Sequence, residues 1–70
     1  MKFKLIIYRG SNKNICVSET LINSIEEVEC MLEQYEGFWC KVINASTDKV
    51  ILEGAFDEDF LDETYYEMEN

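Results

Sequence analysis

The sequence predicts a small α+β domain: an antiparallel ββαββ sheet with one packed helix, followed by either a short acidic C-terminal helix or an acidic tail. Three observations predict it. Seventy residues allow a single domain, because a chain this short buries only about 60% of the surface its unfolded form exposes. Hydrophobic residues are 47% of the chain, with four Phe, four Tyr and one Trp, which is too apolar for disorder even though a net charge of −9 opposes collapse. Apolar positions recur with the strand period on both sides of one segment that has the helix period. Residues 1–56 are expected to form the ββαββ core and residues 57–70 the acidic helix or tail of the same domain.

The first strand is expected from Lys2 to Tyr8, with Phe3, Leu5 and Ile7 on one face and Ile6 and Tyr8 on the other. Apolar residues on both faces mark a central strand buried on both sides. Gly10-Ser11-Asn12-Lys13 is a turn cluster, after which Asn14 to Val17 pairs back as a short second strand. Ser24 and Glu27 have the spacing of a capping box, in which hydroxyl and carboxylate satisfy free amides at a helix start. The helix is expected from Ile25 to Glu36, with Ile25, Val28, Met31, Leu32 and Tyr35 on one arc of about 120°. Gly37 supplies the left-handed position that ends it.

Phe38 to Asn44 then reads as a strand, Ala45-Ser46-Thr47-Asp48 as a turn, and Lys49 to Phe56 as the antiparallel partner. Beyond Asp57, a residue suited to capping a helix, Phe60, Leu61, Thr64, Tyr65 and Met68 share one helical arc. The alternative for this segment is a solvated acidic tail that orders on a partner. One helix covers one sheet face. The second face must be covered by the C-terminal helix, a second copy of the chain or a partner protein.

Composition removes most enzyme chemistry. With no His in the chain, Ser-His-Asp and Cys-His catalysis and all His-containing metal sites are excluded. Cys16, Cys30 and Cys40 are odd in number and form no CxxC pair, so neither a closed disulfide framework nor a zinc ribbon is expected. The Asp57-Glu58-Asp59 and Asp62-Glu63 runs lack the Asp-x-Asp-x-Asp-Gly pattern of a calcium loop. No metal, cofactor or catalytic residue is expected. No apolar run reaches the roughly 18 residues of a membrane span, and the apolar stretch at the N-terminus is too short for a signal peptide. A cytoplasmic protein is expected.

Charge is sorted along the chain. Residues 1–18 carry +4, residues 19–36 carry −6 with no base, residues 37–49 carry +1, and residues 50–70 carry −8 with no base. Glu26, Glu29, Glu33 and Glu36 recur every three or four residues within about 80° of the helix circumference, about 4.5–6 Å apart along its axis. That spacing is comparable to the charges along a nucleic-acid strand. No Lys or Arg interrupts the stripe, so the i,i+4 pairs that usually support an exposed helix are replaced by repulsion. The second acidic group is Asp57, Asp59, Asp62 and Glu63, interleaved with aromatic residues of which Tyr66 falls on the polar arc. Tyrosines beside carboxylates can stack on guanidinium groups that the acids attract. The bland readings are a solvated helix face for the first group and an amphipathic helix finishing the core for the second. Lys2, Lys4, Arg9 and Lys13 read as internal partners for the acids.

In small size, free thiols, acidity and uninterrupted helical carboxylates, the chain is similar to acidic phage-encoded inhibitors that imitate nucleic acid: anti-CRISPR, anti-restriction and uracil-glycosylase inhibitor proteins. The likeness is one of composition and covers no motif. Those proteins share no fold, so it carries no residue role over. It implies a non-enzymatic protein that occupies the basic groove of a nucleic-acid-binding or nucleotide-handling protein, such as a bacterial defence protein. Its contacts are expected from Glu26, Glu29, Glu33, Glu36, Asp57, Asp59, Asp62, Glu63 and Tyr66. An acidic field of this kind repels nucleic acid and anionic lipid, so neither is expected as a direct partner. The alternative is a small homodimeric structural or regulatory module whose acidity serves solubility.

Overall fold

The computed structural model describes residues 2–9 and 15–69. The elements are β1 (Phe3–Tyr8), β2 (Cys16–Ile22), α1 (Ile25–Tyr35), β3 (Trp39–Asn44), β4 (Val50–Ala55) and α2 (Glu58–Glu69). They form the expected ββαββ order, closed by a C-terminal helix. All strands pair antiparallel in one sheet of order β2-β1-β3-β4, so β1 is central, as its two apolar faces predict. The expected turn at Gly10-Ser11-Asn12-Lys13 lies outside the described residues.

The second strand is longer than the expected Asn14 to Val17. It runs to Ile22, pairing Thr20, Leu21 and Ile22 with Leu5, Lys4 and Phe3. Ser18, Thr20 and Ile22 turn toward the helices, while Glu19 and Leu21 are exposed. A strand at a sheet edge needs little apolar area, so its period-two pattern is written in Ser and Thr and is weak to read.

Phe3, Leu5, Ile7, Ile22, Cys40, Val42 and Phe56 from the sheet side join Val28 of α1 and Phe60 of α2 in one core. Leu5, Ile7, Val28 and Phe56 are fully buried, each worth about 1.5–3 kcal/mol. Phe56 and Phe60 meet edge to face with ring centroids 6.0 Å apart. Both helices therefore lie on the same face of the sheet, α1 against β2 and α2 against β4. Tyr65, expected on the packed arc of α2, is half exposed, because the neighbouring α1 fills only part of that flank.

The helix ends show how the chain is steered. Ser24 is the N-cap of α1, but its hydroxyl makes no capping bond. The Glu27 carboxylate accepts from the amide of Asn23, the residue before the cap, at 3.1 Å, so neither of the two reciprocal bonds of the expected capping box forms. At the other end Gly37 takes φ +90°, and its amide donates to the Phe56 carbonyl at 2.8 Å. A Cβ on Gly37 would meet nothing within 4 Å, so the left-handed backbone alone demands glycine there. Asp57 caps α2, its Oδ1 accepting from the Phe60 amide at 2.9 Å. Asp57→Ala is expected to cost about 1 kcal/mol, a fall in Tm of about 4–8 °C for a domain of this size, readable by circular dichroism.

The second face of the sheet is not covered by α2. Lys4, Ile6 and Tyr8 on that side of β1 are half-buried, against the expectation of a strand buried on both sides. The helix finds more apolar area beside α1, where Phe60 and Thr64 enter the core, than it would find on a face that also carries Lys4 and Lys41.

Candidate functional site

Glu26, Glu29, Glu33 and Glu36 are all exposed, as are Asp57, Asp59, Asp62, Glu63 and Tyr66. α1 and α2 pack side by side and antiparallel, so both acidic groups lie on the helical layer, but Asp62, Glu63 and Tyr66 line the flank of α2 toward β4 rather than the flank toward α1. At one end, Glu26 lines a shallow groove with Tyr65, Met68 and Glu69 of α2. At the other, the Gly37–Phe56 hydrogen bond sets Glu36 beside Asp57. Of the α1 stripe, Glu26 borders α2 in the first groove, and Glu29 and Glu33 are exposed on the same helix between it and Glu36. A second groove, of about 400 Å³, is lined by Leu52 of β4 with Asp62, Glu63, Tyr66 and Glu67.

None of these acids is in an ion pair among the described residues, where the one ion pair joins Lys4 and Glu19 at 2.8 Å. Apart from the capping bond of Asp57, the expected site acids make no side-chain hydrogen bond among the described residues. The expectation that Lys2, Lys4 and Arg9 serve as internal partners for the acids holds only for Lys4 with Glu19, which is outside both acidic groups; Lys13 lies outside the described residues. Neither helix contains a base. Lys4 and Lys41 instead point to the opposite face of the sheet, where the Glu19 hydrogen bond and charge raise the pKa of Lys4. Hydrogen bonding to Tyr8, helped by the charges of Tyr8 and Glu53, raises that of Lys41, whose ammonium sits 5.5 Å from the Tyr8 ring centre.

The sequence reading missed Leu52 and Glu67, which join Asp62, Glu63 and Tyr66 in the second groove. Glu67 stands four residues after Glu63, a helical spacing that was a usable signal. Nothing in the sequence marks Leu52, which reaches this flank only because β4 is an edge strand.

Among the described residues no group of three or more acids or cysteines is arranged to hold a metal ion, and no helix is long and apolar enough to cross a membrane. Cys16 and Cys30 are exposed, while Cys40 is buried with its thiol pKa pushed up to about 12, first by burial and then by the charge of Asp57. Iodoacetamide under native conditions is expected to modify Cys16 and Cys30 and to spare Cys40 until the chain unfolds, as peptide mass spectrometry would show. The same shift has a sign for stability. Between about pH 9 and 12 the unfolded chain has released the Cys40 proton while the folded chain keeps it, so stability falls as pH rises through that window. Lys4 and Lys41, also raised when folded, lose their contribution in the same direction. Urea unfolding at a series of alkaline pH values checks this.

Compared with family models, curated proteins and solved structures, the chain matches none.

Proposed function

We propose that this chain is a non-enzymatic acidic protein that binds and inhibits a protein with a basic groove, nucleic-acid-binding or nucleotide-handling, by presenting a nucleic-acid-like row of carboxylates. The observation that carries the reading is that two helices without a single base pack side by side on one face of the sheet, with all eight expected carboxylates exposed. The arrangement has a local cost. Like charges three and four residues apart repel, and packing α1 beside α2 adds repulsion between helices. Nothing in the fold requires it, since the apolar stripes that build the core leave the outer positions open to Lys or Arg. A partner that supplies Lys and Arg side chains offsets that repulsion on binding, and the acidic field steers its approach. Tyr66, 66% exposed, adds an aromatic surface for a guanidinium.

The experiment is affinity capture with the chain as bait from a bacterial lysate, at low and at high salt. DNA- or RNA-binding or nucleotide-handling proteins dominating the salt-sensitive fraction, and losing their nucleic-acid binding or activity when the chain is added, support the reading. A captured set that is indifferent to salt removes it.

A further inference from the structure

The sheet face turned away from the helices has a different chemistry from the rest of the molecule. Register places Leu21, Lys4, Ile43 and Val50 in one row across the four strands, Glu19, Ile6, Lys41 and Glu53 in the next, and Tyr8 beside Trp39 in the third. Its accessible apolar members, Ile6, Tyr8, Leu21, Trp39 and Val50, surround two acids and two bases, while Ile43 in the same row is already buried. Each charge has an opposite neighbour within the face: Lys4 bonds Glu19 at 2.8 Å, and Lys41 stands directly across from Glu53. In a chain of charge −9 this broad face is neutral, and two copies meet there without the repulsion that the helical layer imposes.

Shape points the same way. The chain is 29 × 23 Å across and 15 Å thick, so the open face is one of its two broad sides. Four strands of six or seven residues present about 19 × 20 Å of sheet, and with side-chain relief this approaches the roughly 600 Å² per partner at the lower end of specific interfaces. Leu21 and Val50 are 50% and 47% exposed at its two edges, more apolar area than solvent contact favours. We propose that a second copy of the chain covers this face, giving a sheet-on-sheet dimer whose two acidic helical layers point outward on opposite sides. The inference stands apart from the reading of the acidic layer, which a monomer could serve equally well.

The test is light scattering of the full chain from micromolar to millimolar concentration, alongside the fluorescence of Trp39, the single tryptophan. Expected are a mass rising from 8.2 kDa to twice that value and a blue shift of Trp39 emission with the same midpoint. Leu21→Glu with Val50→Glu, at exposed positions that leave the core intact, is expected to weaken association by at least about 100-fold at unchanged circular dichroism. Glu29→Gln with Glu33→Gln, on the helical layer, is expected to leave the dimer in place. A chain monomeric at millimolar concentration overturns the proposal. So does a dimer that survives the sheet-face pair, or one lost through the helical pair instead.

Discussion

Phe60→Ala is expected to lower stability by about 3–5 kcal/mol, enough to unfold a large share of a chain whose size allows only about 4–10 kcal/mol in total. The side chain is 5% exposed, inside the cluster that holds Val28 of α1 and Leu5 of the central strand. Its ring is also the nearest atom group to the Gly54 backbone, 3.9 Å from where a Cβ would stand, so the cavity left by truncation opens directly onto β4. Urea unfolding followed by circular dichroism reads the change. Tyr65→Ala on the same helix, at a half-exposed position, is expected to cost far less and serves as the control. If Phe60→Ala stays within about 1 kcal/mol of the parent, α2 is an appendage and the seam between the helices loses its structural basis.

Replacing Glu26, Glu29, Glu33 and Glu36 together by Gln is expected to move stability and binding in opposite directions. Three neighbouring repulsive pairs disappear, each worth about 0.2–0.5 kcal/mol. Glu33 and Glu36 also leave the negative end of the helix dipole, where the last turn holds no base, while Glu26 gives up a favourable place in the first turn, an exchange of about 0.3–1 kcal/mol per residue. The net expectation is a chain more stable by about 1 kcal/mol, with a higher Tm. Affinity for the captured basic partner should fall on the order of 10²-fold, mainly through the association rate. Greater stability with unchanged binding would assign the carboxylates to solvation alone. Lower stability would mean that they hold the fold through contacts beyond mutual repulsion.

Much of the architecture is legible in the residues themselves. Phe3, Leu5 and Ile7 alternate, Val28 and Leu32 recur at helical spacing, Gly37 stands where a left-handed residue is required, and Asp57 stands where a cap is required. These are local signals. Each depends on the geometry of a few consecutive residues, and each element appears where its signal places it. Ser24 shows the limit of such signals: the spacing of a capping box is present, yet Glu27 bonds Asn23 and the hydroxyl bonds no amide, because the approach of the chain to α1 is set by where β2 ends.

What the sequence by itself determined is the period of each segment and the separation of charge, since both follow from which side chains occur at which interval. Only the tertiary structure decided how far β2 extends, that both helices share one face of the sheet, and that Glu26 borders α2 while Lys4 and Lys41 turn the other way. Those outcomes depend on pairing between distant segments. A central strand with apolar residues on both faces offers two places for a helix, and the choice falls where Phe56 and Phe60 bury the most area with no charge to desolvate.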